Sequence, residues 1–157
     1  MANVHSRTNK PRVLAVASGG GHWKQLLRLR PVFERYDTTY VTTIDGLPQE
    51  AGITQYKVIG DCSRDSLYSL VRAILQVLSL IVRVRPKIII STGAAPGLLA
   101  IAMGRMICAR TLWIDSIANG DQLSMSGRIA RRLAHQTISQ WQGVAADEKV
   151  GYWGQLL

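Results

Sequence analysis

Acids, aromatic rings and cysteines are all in short supply in this sequence, and each shortage removes a class of protein. Cysteine occurs twice, at Cys62 and Cys108, far apart and in no C-x-x-C pattern. That excludes a disulfide framework and a cysteine-rich zinc site, and it fits a reducing compartment. No His, Cys, Asp or Glu cluster with metal-ligand spacing is visible, so no metal is expected. Residues 1–11 are polar and basic with no apolar stretch. They read as a flexible basic tail on a cytoplasmic protein, not as a secretory signal. Internal repeats and low-complexity linkers are missing too. Charged residues make up 18% against 47% hydrophobic ones, a balance that argues for a packed core over disorder. At 157 residues the chain fits one domain, not two full-sized ones.

The shortage of acids leaves a formal charge of +9, from 19 Lys+Arg against 10 Asp+Glu. Such a surface attracts nucleic acid and anionic lipid alike. Aromatic residues amount to 6%, without a basic-plus-aromatic RNA-binding signature, and the arginines flank apolar sequence. No nucleic-acid partner is expected; a membrane contact stays open.

Continuous apolar runs mark strands buried on both faces of a sheet. They fall at Arg12–Ala17, Lys87–Ser91 and Thr111–Ile114, with β-branched or shorter runs at Thr38–Ile44, Gln55–Ile59 and Gln136–Gln140. Helical spacing covers Trp23–Glu34, where Pro31 predicts a kink or an early end. Further helices are expected over Ser66–Val84, capped by Ser63 or Asp65 and stopped by Pro86, over Leu98–Cys108 and over Ser126–Ala134. Alternation of strand and helix predicts an α/β fold with a parallel sheet and helices on both faces. Ligands of such sheets sit beyond the carboxyl ends of the strands. The loops 18–22, 92–97 and 115–121 leave strands at that edge and define one candidate cleft.

Three motifs line that cleft. In Ser18-Gly19-Gly20-Gly21-His22, glycines let the backbone turn tightly and bring its N–H groups close to a phosphate or an oxyanion at a helix start. A dinucleotide fingerprint fails, because Lys24 stands where the third glycine of G-x-G-x-x-G belongs, and no Gly-Lys-Ser/Thr follows. A ligand-free βα turn satisfies the same glycines. His22 supplies an imidazole, the side chain suited to general-base work near neutral pH. Thr92-Gly93-Ala94-Ala95-Pro96-Gly97 is a second small-residue loop, open to close approach by a ligand or required simply for packing. Asp115-Ser116 ends a strand, where the carboxylate either orients a histidine or substrate, or caps a turn.

The stretch Ser66–Val84 has almost no polar face in its second half. It is short for a bilayer span and contains Arg72, so a transmembrane helix is rejected. Either it is buried nearly all round, or one apolar face dips into an anionic leaflet. The candidate membrane residues are Leu67, Leu70, Val71, Ile74, Leu78 and Ile81, with Arg72, Arg83 and Arg85 as a cationic rim.

Taken in order, Val13–His22, Ser91–Gly97, Asp115-Ser116, Leu123–Arg128 and Ser139-Gln140-Trp141 resemble one family, the PssD/CpsF-type acceptor subunits of bipartite bacterial glycosyltransferases. The same pattern is similar to the membrane-anchor subunit of the eukaryotic enzyme that adds the second N-acetylglucosamine to a dolichol-linked sugar. It is similar also to the N-terminal domain of the lipid II-forming transferase. The resemblance covers residues 12 to 157. It implies the N-terminal half of a GT-B fold, with residues 12–142 as a Rossmann-like acceptor-side domain and 143–157 as an apolar tail facing a partner. It implies an inverting transfer from a UDP-sugar to a polyprenyl-pyrophosphate-linked acceptor in exopolysaccharide or capsule synthesis, at the cytoplasmic face of the inner membrane and without a metal or cofactor. A small donor-binding subunit would complete the enzyme. His22 would be the base, oriented by Asp115. Ser18 to Gly21, Thr92 to Gly97 and Ser116 would hold substrate. A non-catalytic anchor that recruits and activates a separate transferase is the alternative. Two positions depart from the family pattern: Asp115 replaces a glutamate, and Gln142 replaces a proline.

Overall fold

The computed structural model describes residues 10–60 and 67–156; the expected cap at Ser63 or Asp65, Cys62 and most of the basic tail lie outside them. In chain order the elements are β1 (Arg12–Ala17), α1 (Gly21–Arg28), α2 (Arg30–Phe33), β2 (Asp37–Thr42), α3 (Leu47–Glu50), β3 (Tyr56–Val58) and α4 (Leu67–Val84). There follow β4 (Ile88–Gly93), α5 (Ala94–Met106), β5 (Arg110–Ile114), α6 (Met125–Leu133), β6 (Gln136–Ser139), α7 (Gln142–Asp147) and β7 (Gly151–Tyr152). The strands form one parallel sheet in the order β3-β2-β1-β4-β5-β6-β7. Chain order runs outward from β1 on one side and from β4 on the other, so the loops after these two strands diverge and leave a crevice between them.

Alternation along β1 builds the two faces. Leu14 and Val16 point into a core with Ile89 of β4, Val77 and Ile81 of α4, Ala100 and Ile101 of α5 and Ala130 of α6. Val13, Ala15 and Ala17 point the other way, onto Trp23 and Leu26 of α1, Phe33 of α2 and Tyr40. Tyr40 takes Trp23 and Phe33 edge-on, with ring centroids 6.2 and 5.5 Å apart. Each large apolar side chain buried this way contributes about 1.5–3 kcal/mol. The expected α/β architecture with helices on both faces is the one observed.

Three boundaries move. The helix expected through Trp23–Glu34 breaks at Leu29, one residue before Arg30-Pro31 opens α2. The loop expected at 92–97 is the end of β4 plus the first turn of α5, since Pro96 lacks only an N–H that a first turn leaves unbonded. In the segment 143–157, expected as a tail, residues 143–147 complete α7 and Gly151–Tyr152 form β7, which pairs with Ile138 and Ser139 of β6. Val144 and Ala145 are buried there, so the domain extends past residue 142.

Candidate active site

His22 stands in the first turn of α1, directly across the crevice from the end of β4. Its Nδ1 lies 2.9 Å from the Thr92 carbonyl, and the Thr92 hydroxyl donates to the His22 carbonyl at 2.7 Å. A carbonyl can only accept, so Nδ1 carries the proton and Nε2 keeps its lone pair. Among the described residues no hydrogen bond engages Nε2. Gly93 makes this pairing possible: its φ is 140°, and a Cβ there would occupy the space of the imidazole. The group that orients His22 is therefore a backbone oxygen seventy residues along the chain.

Asp115 does not orient it. The carboxylate is 2% exposed and accepts four hydrogen bonds within its own neighbourhood. Oδ1 takes Trp113 Nε1 at 3.0 Å and Ser124 Oγ at 2.6 Å; Oδ2 takes Asn119 Nδ2 at 3.0 Å and Ser124 N–H at 2.9 Å. Ser124 in turn accepts from Gly127 N–H at 2.8 Å as the N-cap of α6. Asp115 thus pins the start of α6, and all four of these bonds stay on the β5–α6 side, none reaching His22. Ser116 is likewise committed, accepting from Gln25 Nε2 at 3.1 Å and from Ala118 N–H.

Sequence reading missed Gln25 and held Gln140 only as part of the Ser139-Gln140-Trp141 pattern; these are the two buried carboxamides that lock this edge. Gln25 Oε1 accepts from Gln140 Nε2 and Ile117 N–H, while Gln140 Nε2 also donates to the Asp115 carbonyl at 2.8 Å. Leu156 N–H closes the set on Gln140 Oε1 at 2.8 Å, tying the C-terminal segment to α1. Gln140 could be found from that pattern, while Gln25, inside a helical run, carries no signal of its own.

Two helices begin at the mouth without side-chain caps or acidic residues in their first turns. In α1 the first helical bond is Lys24 N–H to Gly20 O, so the amides before Lys24 remain outside the ladder. Their partial positive charge favours an anion. Of the expected substrate-binding residues, Ser18, Gly19, Gly20, Gly21, Thr92, Gly93, Ala94 and Ala95 lie around this mouth. Pro96 and Gly97 are buried, Gly97 against Ser91, and serve packing. A Cβ at Gly21 would meet nothing within 4 Å. Gly21→Ala is therefore expected to leave the melting temperature essentially unchanged yet weaken binding of inorganic pyrophosphate, read by calorimetric titration. Equal binding by both forms would show that no ligand approaches this loop.

The expected membrane residues divide. Leu67 is 78% exposed, and Leu70, Val71, Leu78, Arg72, Arg83 and Arg85 are exposed as well. Ile74 is half-buried. Ile81 is 1% exposed and belongs to the core with Ala73, Val77 and Leu80. An α4 buried all round is thus excluded: one stripe packs on the sheet, while Leu75, Leu78 and Val82 stand in solvent. By length and composition α4 could cross a membrane, with 22% of it buried in the protein. Between α4 and the edge strand β3 runs a groove of about 460 Å³, bordered by Lys57, Arg72 and Arg83.

A parallel sheet with this order, read together with the crevice between β1 and β4, defines a Rossmann-like domain resembling the N-terminal half of GT-B enzymes. The chain belongs to the family described as "Oligosaccharide biosynthesis protein Alg14 like", whose sequence model matches residues 4–156. Among solved structures it is similar to Acinetobacter baumannii MurG, with 11% identity, a TM-score of 0.69 and coverage of 85% of this chain and 42% of that one. UDP-N-acetylglucosamine 2-epimerase from Rickettsia bellii gives 12% identity, a TM-score of 0.69 and coverage of 91% and 43%. The UDP co-structure of S. aureus MnaA gives 11%, 0.67, 87% and 39%. The chain thus spans less than half the length of each of these proteins. No curated protein matches it in sequence.

Proposed function

We propose that this chain is the acceptor-binding, membrane-docked subunit of a two-component glycosyltransferase. It would transfer a sugar, with inversion, from a UDP-sugar to a polyprenyl-pyrophosphate-linked acceptor, in the manner of the PssD/CpsF-type subunits of exopolysaccharide and capsule synthesis. One observation carries the reading: His22, with Nδ1 fixed on the Thr92 carbonyl and Nε2 free, stands between two uncapped helix starts at the sheet's crevice. Membership of an oligosaccharide biosynthesis family supports it.

In this mechanism Nε2 takes the proton of the acceptor hydroxyl as that oxygen attacks the anomeric carbon, and UDP departs. The amides at the start of α1 and α5 hold the acceptor's pyrophosphate, so the hydroxyl is presented to the base rather than diffusing past it. The donor comes from a second, small subunit facing the carboxyl edge. Trp141, Tyr152 and Trp153 are exposed along that side, and Trp141 is braced by its Nε1 donating to the Ile117 carbonyl at 2.7 Å. Aromatic residues of this kind anchor interfaces. The exposed apolar stripe of α4 with its arginines sets the protein on the cytoplasmic face of an anionic membrane, where the lipid-linked acceptor resides.

Reconstitution tests the whole. Transfer to a polyprenyl-pyrophosphate-linked sugar should need both subunits; transfer by the second subunit alone at the full rate would leave this chain no more than an anchor. For the membrane contact, Leu75→Asp with Leu78→Asp should release the protein from vesicles containing phosphatidylglycerol while leaving its circular dichroism and melting intact. Retained binding by the folded variant would place the membrane face elsewhere.

A further inference from the structure

At the opposite end of the sheet from His22, where the strands begin, lies a cavity of about 690 Å³. Its floor is apolar, from Ile81, Val82 and Ile107, and its rim carries Arg85, Lys87 and Arg110. Among the described residues no acidic side chain lines it, and none of the three cations is in a salt bridge. Arg110 N–H bonds to the Lys87 carbonyl at 2.8 Å, so β4 and β5 open side by side at the cavity's edge. Arg85 takes a left-handed φ of 47° where the chain leaves α4 and turns toward Pro86, a conformation that non-glycine residues rarely adopt. The positive field reaches His135 as well. Its imidazole is held below the ordinary value by desolvation first, then by Arg105 and Arg110. Met106, 84% exposed, and Ile107 extend the apolar floor outward, and Val82 makes it continuous with the exposed stripe of α4.

Resting on the reading of α4 as a membrane face, we propose that this cavity seats the headgroup of an anionic phospholipid, distinct from the lipid-linked acceptor at the opposite edge. Three cations without a counter-acid match a phosphodiester, and an apolar floor open toward the α4 stripe matches the glycerol and first acyl carbons beneath it. The seat lies at the C-terminal end of α4 and the catalytic mouth at the end where α4 begins. A lipid held there fixes the helix at its far end, so the protein lies along α4 with its mouth at the bilayer surface.

The test uses the full chain with vesicles of phosphatidylcholine, with and without phosphatidylglycerol. Lys87→Gln with Arg110→Gln should weaken binding to the anionic vesicles about thirty-fold, from roughly 1 kcal/mol for each basic residue at such a surface. Arg132→Gln with Lys149→Gln removes the same charge from another face and should cost only a few-fold. A local readout comes from Cys108, exposed at the cavity's lip, in a Cys62→Ser background. At saturating vesicle, phosphatidylglycerol should slow maleimide labelling of Cys108 in the parent and in the Arg132/Lys149 control but not in the Lys87/Arg110 variant. Equal weakening by the two pairs, or protection that survives loss of Lys87 and Arg110, overturns the seat and leaves diffuse attraction. Both side chains are exposed, and melting curves confirm folding; Lys87→Gln alone serves should the pair be unstable. Failure of the α4 reading is seen separately, in vesicle binding that survives Leu75→Asp with Leu78→Asp.

Discussion

His22→Ala is expected to slow sugar transfer by the reconstituted two-subunit enzyme by about 10²–10⁴-fold, the usual contribution of a positioned general base. The loss should fall on kcat, because the proton moves only in the chemical step, while KM for the acceptor changes little. Folding should survive. The hydrogen bond from the Thr92 hydroxyl goes to the His22 backbone carbonyl, which alanine retains. Removing the ring leaves the Thr92 carbonyl beside a partly open mouth where water can reach it. Near-normal transfer by His22→Ala would mean that the chain only recruits and activates a partner that carries its own base.

How much of this was legible in the sequence depends on whether the signal was local. The runs Arg12–Ala17 and Lys87–Ser91 could only be strands buried on both faces, and alternation with helices then implied the parallel sheet. The glycine turn and His22 were legible for the same reason. Thr92 as the partner of His22 was not: the contact joins residues seventy apart across the point where strand order reverses, and the atom that accepts is a backbone oxygen that any residue carries. Asp115 misled because a carboxylate at a strand end looks alike whether it orients a histidine or anchors the cap of the next helix. On α4, apolar residues on every side hid which stripe faces the sheet, so Ile81 was grouped with Leu78 although one is core and the other lies in solvent. β7 is two residues long and starts with glycine, too short for any alternation to register.

Replacing Asp115 separates the two roles that its position suggested. Asp115→Ala strips acceptors from Trp113 Nε1, Asn119 Nδ2 and both the amide and hydroxyl of Ser124. Asn119 can turn toward water. Trp113 is fully buried on the sheet, however, and Ser124, half-buried, is the N-cap of α6. Each buried donor left unpaired costs about 1–3 kcal/mol, so a loss of roughly 3 kcal/mol or more is expected. For a domain of this size that is a fall in melting temperature of about 6–12 °C. Asp115→Asn should recover only part of it, because an amide nitrogen would face donors where Oδ2 now accepts from Asn119 and Ser124. Asp115→Glu, the residue found at this place in the resembling family, should also destabilise. A Cβ on Gly127 would collide with the Asp115 carboxylate, so that carboxylate lies tight against α6 and an added methylene pushes it into the helix. Thermal melts of the three variants, alongside turnover per folded complex, give the decision. Large falls in stability with turnover held within several-fold identify an anchor of α6. A stable Asp115→Ala protein with turnover lost would instead return the carboxylate to the chemistry, and would require the loop 115–121 to rearrange toward His22 when substrate binds.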